Sequence, residues 1–281
     1  MEENFITLDL KEKDLGDNGF VKVVDVLPRV IPKDQWDPEV KCDYAIPQAA
    51  RVSYAKGTTK TSSDKGLIRY LLRNRHTSPF EMIEFKFHIR APLFVARQWM
   101  RHRTASVNEI SARYSLVEDC FWKPKVWRTQ GKHNLQGSEE DLTPEESQKA
   151  QELYDKGCEE CYKIYTQMID MGIAREMARS ILPVSMMTEF YWKVNLHNLL
   201  HFVTLRSDWH AQEEIRVLSD AILEMVAEYC PVTVQAWKDY QKDAVNLTKW
   251  DLEAFKNNGN KPDGMTKREF AEFLNKVPNL N

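Results

Sequence analysis

The chain has 281 residues, 42% hydrophobic and 29% charged, which is enough apolar material to bury a substantial core and too much for a disordered segment. Its 39 Lys and Arg against 42 Asp and Glu leave a net charge of −3 and a pI near 6.2, which excludes a generally basic nucleic-acid binder and makes any basic cluster a local feature. Met1-Glu2-Glu3-Asn4 has no basic n-region, no run approaches about 18 apolar residues, and the cysteines (Cys42, Cys120, Cys158, Cys161, Cys230) are odd in number, so a cytoplasmic protein with reduced thiols and no membrane span is expected.

Residues 1–19 are polar with little periodicity and read as an arm. Phe20 to Leu27 is rich in strand-forming valines and ends at Pro28, and the proline-bearing residues 28–43 read as a loop. A short helix is expected over Ala45 to Ala55, then a polar link over Thr58 to Ser63. A second helix, capped by Asp64, should run to about Asn74. His76-Thr77-Ser78-Pro79-Phe80-Glu81 breaks it. Ile83, Phe85, Phe87 and Ile89 then alternate with Glu84, Lys86, His88 and Arg90, the pattern of a strand with one buried face. A helix is expected from Pro92 to about Arg103.

Arg101 to Ser115 follows as a polar run with only two large aliphatics, Val107 and Ile110, too few for a core helix and too irregular for a half-buried strand. Its guanidinium forks and hydroxyls, Arg101, Arg103, Arg113, Ser106 and Ser111, suit a small anion. Gln130 to Asp141 reads as a loop. Thr143-Pro144-Glu145-Glu146 is a capping box that opens a helix to about Met171, with Leu153, Tyr154, Cys161, Tyr165, Met168 and Ile169 on its buried side. A helix over Ala174 to Leu182, a strand over Thr188 to Val194, a helix capped by Asn195 and interrupted at Arg206-Ser207-Asp208, and a long helix to about Tyr229 complete the main part. Few strands among many helices give an α+β fold in which a few-stranded, antiparallel-type sheet packs with several long helices. Residues 246–281 read as a peripheral extension.

Several local patterns invite chemistry. Cys158-Glu-Glu-Cys161 has no second ligand pair and lies inside a helix, which favours structural thiols over zinc or redox work. His197 and His201 are spaced i, i+4 but have no Glu beside the first and no evident third ligand, so hydrogen bonding to a polar ligand or to the core is favoured over a metal. Neither a glycine-rich phosphate loop nor Gly-x-Ser-x-Gly occurs.

The run Arg101-His102-Arg103 … Ser106, Asn108-Glu109, Ser111, Arg113-Tyr114-Ser115 resembles the signature of the flavin-dependent thymidylate synthases. Ala50-Arg51-Val52-Ser53, His76 to Glu81, Phe94 to Trp99, Arg175 to Arg179 with Leu182-Pro183, and Leu205-Arg206 with His210-Ala211-Gln212 fit the same family in the same order. The resemblance covers roughly residues 20–240, and implies one catalytic domain over residues 20–245 between the arm and the extension.

The resemblance also implies conversion of dUMP to dTMP, with 5,10-methylenetetrahydrofolate supplying the carbon and FAD reduced by NADPH supplying the hydride. Arg101, His102, Arg103, Thr104, Ser78 and Asn195 would hold FAD, with His197 and His201 at variable family contacts and His76 near flavin and folate. Gln98, Trp99, Arg101, Glu109, Ile110, Ser111, Ala112, Arg113 and Arg179 would hold dUMP, and Arg206 would reach the uracil as the catalytic residue. The family is homotetrameric with shared sites, so Glu109 would serve cofactor and substrate from different subunits. Ser111 suits a phosphate ligand better than a nucleophile, since no base lies beside it in sequence. A non-catalytic phosphate-binding module and a homologue that only oxidises NADPH are the rival readings.

Overall fold

A computed structural model describes residues 4–53, 63–132 and 137–277. The chain forms two compact units, Met1–Gln235 and Ala236–Asn281. In the first unit the elements run β1 (Phe5–Thr7), β2 (Glu12–Asp14), β3 (Phe20–Leu27), β4 (Val30–Pro32), α1 (Ala45–Arg51), α2 (Asp64–Arg73), α3 (Ser78–Glu81), β5 (Glu84–Pro92), α4 (Leu93–Trp99), β6 (Ser106–Glu109), β7 (Arg128–Gln130), β8 (Ser138–Asp141), α5 (Pro144–Asp170), α6 (Arg175–Ala178), β9 (Met187–Asn195), α7 (Leu196–Arg206) and α8 (Glu213–Tyr229). The unit boundary falls inside α9 (Pro231–Trp237), and the second unit contains α10 (Lys249–Lys256) and α11 (Lys267–Lys276).

The main sheet is antiparallel, in the order β2-β3-β5-β9-β6. Alternation decides its buried face. Phe85, Phe87 and Ile89 of β5 and Phe190, Trp192 and Val194 of β9 are buried, while Tyr191 and Lys193 are exposed. In β3 the buried set is Val21, Val23 and Val26. The step from two to three comes from a register shift between Val23 and Asp25, which restores the inward face after one extra residue. Gly19 lets β3 begin hard against β5: its φ is 97°, and a Cβ there would stand 2.0 Å from the Arg90 carbonyl oxygen.

The apolar face is covered by helices, with α4 and α7 against β9 and α8 against β3. Trp99 of α4 is wholly buried, edge-on to Phe190 and Trp192 at 5.5 and 5.3 Å, and Phe202 of α7 closes the cluster 4.5 Å from Trp99. This aromatic knot fixes the end of α4 against α7, and with it the chain that leaves Trp99. Aromatic pairs of this geometry add to area burial by about 0.5–1.5 kcal/mol each.

The α+β fold with a small antiparallel sheet is as the sequence implies, and so are the Thr143 capping box and the Asn195 cap, whose side chain accepts from the Asn198 N–H at 2.9 Å. Local expectations differ in several places. The helix expected from Pro92 to Arg103 is only α4. Pro92 ends β5, and beyond Trp99 the chain tightens into turns in which Arg101 N–H bonds to Gln98 O and His102 N–H to Trp99 O. The polar run, too irregular for a half-buried strand, contains the wholly exposed β6, paired with β9. Its four residues are all exposed, because an edge strand held by backbone bonds needs no apolar alternation.

The α2 cap is Ser63, accepting from Gly66 N–H, while Asp64 binds Arg51 at 2.6 Å. The helix expected over 174–182 is α6 followed by a 3-10 turn, Arg179–Ile181. The loops expected over 28–43 and 130–141 contain β4 and most of the β7–β8 hairpin. On α5, Leu153 is 74% exposed where the periodicity places it inward, and Cys158 and Tyr165 are the buried residues. The end of the helix expected to reach Ala55, and most of the link before Ser63, lie outside the described residues. Among the described residues no helix is long and apolar enough to cross a membrane.

The second unit has its own small core of Ala254, Met265 and Phe273, packed by Trp250, Phe255, Phe270 and Leu274. Capping boxes at Thr248 and Thr266 open its helices, and Lys276 binds the buried Asp251 at 2.8 Å.

Candidate functional site

Two recesses border β6 and its flanking turns. The smaller, of about 280 Å³, is lined by Arg101, His102, Arg103, Thr104 and Ala105 from the turn after α4, Trp192 and Val194 from β9, and Asn198, His201, Leu205 and Arg206 from α7. The chain crosses from α4 to β6 here, and His102 reaches the end of α7. Arg206, the last residue of α7, is held from two sides: its Nε donates to His102 Nε2 at 2.9 Å and its Nη2 to the Gln98 carbonyl at 3.2 Å. Gln98 is tied in turn, its side-chain amide donating to Gln212 Oε1.

His102 packs edge-on to Phe202 at 4.9 Å and lies 6.1 Å from His201. Burial first, then the Arg206 guanidinium and His201, push its pKa down to about 4, so its ring is neutral near pH 7. Burial also lowers the pKa of Arg206. Arg101 and Arg103 are exposed and form no ion pair among the described residues.

The larger recess, of about 730 Å³, is lined by Glu109, Ile110, Ser111 and Ala112 after β6, by Arg179, and by Arg90, Leu93, Cys120, Met186 and Thr188, with others on its rim. Glu109 is fixed by its ladder position opposite Phe190 and by the Thr188 hydroxyl, which donates to Oε1 at 2.7 Å. Ser111 Oγ accepts from the Arg113 N–H at 3.3 Å. The Arg113 side chain is paired with Glu176 at 3.1 Å and does not line the recess. Arg90 donates to Cys120 Sγ at 3.1 Å and lies 3.8 Å from Glu189.

The structure therefore divides the residues singled out in the sequence. Arg101 to Thr104, His201 and Arg206 meet in one recess; Glu109 to Ala112 and Arg179 meet in the other. His76 and Ser78 are exposed near α3 and line neither, His76 tilting against Tyr70 at 6.1 Å. Asn195 is spent as a helix cap and His197 lines neither recess. Trp99 is core, with no surface to offer a ligand. Gln98 contributes its backbone carbonyl to Arg206. Sequence reading missed Trp192, Val194, Asn198 and Leu205 in the smaller recess, and Arg90, Cys120, Thr188 and Glu189 in the larger. Arg90 was findable: it falls on the outward phase of β5, and the ladder sets it opposite Glu189 on the outward phase of β9. Among the described residues no cluster of three or more His, Cys, Asp or Glu is suited to a metal ion.

An antiparallel sheet whose edge strand separates two arginine-bearing recesses is the frame of the candidate site. The model of a family described as thymidylate synthase complementing protein matches residues 39–232. The chain belongs to that family. It is 47% identical over 267 residues to a flavin-dependent thymidylate synthase of Dictyostelium discoideum, covering 94% of this chain and 86% of the relative. It is 48% identical over 240 residues to one of Thermus thermophilus, covering 85% and 83%. Among solved structures it is similar to a UMP/dUMP methylase from Streptomyces cacaoi bound with 5-Br dUMP, with a TM-score of 0.67 and 32% identity over 84% of this chain and 98% of that one.

Proposed function

We propose that the chain is a flavin-dependent thymidylate synthase, converting dUMP, 5,10-methylenetetrahydrofolate and NADPH to dTMP, tetrahydrofolate and NADP⁺ through bound FAD. The observation that carries this reading is the pair of recesses on either side of β6, one ending at Arg206 and the other at Ser111 and Arg179. It occurs in a chain 47% identical to a relative of that name.

The donor set of the smaller recess suits FAD. Arg101, Arg103 and the Thr104 hydroxyl fit a diphosphate, and Trp192, Val194 and Leu205 offer an apolar wall to a ring system. Its volume of about 280 Å³ lies under the roughly 300–1,000 Å³ typical of sites for drug-sized ligands. It therefore takes one part of the dinucleotide and leaves the rest to the exposed His76 and Ser78, to His197, and to a neighbouring copy in a homotetramer. Exposed Ile110, Tyr114, Leu116, Met177 and Val184 support such an assembly around the larger recess. When bound, the reduced flavin supplies the hydride that completes the new methyl group.

The chain's own residues bind and polarise. Ser111 and Arg179 take the dUMP phosphate, joined by Arg113 once it leaves Glu176, and Glu109 and Gln98 orient the nucleotide. An electron pair added at C6 of uracil spreads negative charge to C5 and the C4 carbonyl oxygen. Arg206 of the smaller recess, brought to the nucleotide by sharing of the site between copies and held in place before the reaction, meets that charge at no reorganisation cost.

The test is a flavin spectrum combined with product analysis. Yellow protein that makes dTMP only with dUMP, methylenetetrahydrofolate and NADPH together is the expected result. A colourless protein unable to take up FAD ends the reading, and peroxide without dTMP assigns the chain to NADPH oxidation instead.

A further inference from the structure

We propose that His102 is a positioning residue for Arg206: through the lone pair of a neutral imidazole it sets the direction of the guanidinium that faces the reacting pyrimidine. The inference rests on the assignment of Arg206 above and adds a residue that acts through it.

The geometry admits one arrangement of protons. A guanidinium has only donors, so the 2.9 Å contact between Arg206 Nε and His102 Nε2 requires the imidazole nitrogen to accept. The proton of His102 is then on Nδ1, and Nδ1–H is all that the ring can offer a cofactor. The donor that His102 engages is Nε, the inner nitrogen of the fork. Nη2 goes to the Gln98 carbonyl at 3.2 Å, so two of the guanidinium's N–H donors are engaged by the fold, and the others remain on a side chain that lines the recess.

The ring is itself held, edge-on to Phe202 at 4.9 Å, and Phe202 belongs to the aromatic knot under the site. A chain of contacts thus runs from the core through His102 to Arg206. The charged and titratable groups around His102 are Arg206 and His201 on α7 and the flanking Arg101 and Arg103. A protonated ring would place a further charge among them and lose the acceptor at once. Partial burial first, then the Arg206 guanidinium and His201, keep the ring neutral down to about pH 4.

The experiment uses two replacements in the full-length holoprotein. His102→Phe keeps an aromatic ring against Phe202 and removes the acceptor, whereas His102→Gln restores an acceptor at similar reach. His102→Phe is expected to lower kcat for dTMP formation by about 100-fold, the scale for loss of a preorganised electrostatic partner. KM for dUMP and flavin content should change little, and His102→Gln should recover most of the rate. In an Arg206→Ala background His102→Phe should cost nothing further.

Retained kcat in His102→Phe with flavin lost overturns the proposal, because the residue then serves only the cofactor. Equal inactivity of Gln and Phe variants that both hold flavin also overturns it. ¹⁵N spectra of wild-type imidazoles give a readout independent of turnover. His102 should show the Nδ1–H tautomer and stay neutral well below the pKa of about 6.5 of an ordinary histidine; in Arg206→Ala its pKa should rise. Titration of His102 near that ordinary value in the wild type removes the bond and the proposal with it. If wild-type protein makes no dTMP at all, the thymidylate reading fails, and the tautomer measurement still decides whether His102 holds Arg206.

Discussion

Arg206 in the smaller recess beside β6 and Arg179 in the larger are presented in opposite ways. In the smaller one, Arg206 is anchored through His102 and the Gln98 carbonyl to elements that rest on Trp99, Trp192 and Phe202. In the larger one, Arg179 is exposed with no ion pair among the described residues, and Arg113, outside the lining, is held on the surface by a half-exposed carboxylate, Glu176. The first arrangement fixes an angle before any ligand arrives. The second offers charge that a ligand must organise. A group that answers charge appearing during a reaction gains from the first, whereas a group that grips a phosphate already carrying its charge can do with the second.

The sharpest way to break this contrast is Arg206→Ala. Turnover to dTMP should fall by about 100-fold or more while flavin stays bound, as expected where preorganised electrostatics are removed. Unchanged turnover, followed by tritium release from labelled dUMP, would take Arg206 out of the reaction. Arg113→Ala should act on binding. Loss of one charge-assisted bond, about 1.5–3 kcal/mol, raises KM for dUMP by roughly 10–150-fold with kcat nearly kept. If the variant discriminates dUMP from deoxyuridine as well as the wild type does, Arg113 does not hold the phosphate. Glu176→Ala should have the smallest effect. The pair it breaks is half-exposed on both sides, so stability should change by less than about 1 kcal/mol in thermal unfolding. dUMP affinity should rise slightly, because Arg113 is released. A large loss of affinity would show that Glu176 orients Arg113 and does not merely occupy it.

Where side chains alternate or cap, the sequence speaks for itself. Phe85, Phe87 and Ile89 mark β5, Phe190, Trp192 and Val194 mark β9, and Asn195 announces α7 two residues before the first histidine of that helix. Such signals are local, carried by the period of the chain. β6 lacks one because its place in the sheet is decided by the backbone of β9. The end of α4 lacks one because the stop follows from burying Trp99 against residues about ninety to one hundred positions later. The bond from Arg206 to His102 spans 104 residues and is invisible to any reading of neighbours. Family resemblance supplied part of each recess but not every role: Trp99 came with the substrate list and is core, and His102 came with the cofactor list and holds an arginine.

β6 has a metric consequence. At about 3.3 Å per residue its four residues span roughly 13 Å, and the ladder Ser106↔Lys193 to Glu109↔Phe190 bolts that length to β9. The spacing between the Arg101–Thr104 turn and Ser111 is thus a fixed gauge, set by hydrogen-bond register and independent of what either recess contains. Lengthening β6 by one residue would leave every arginine and serine in the sequence yet swing Glu109 to the opposite side of the sheet.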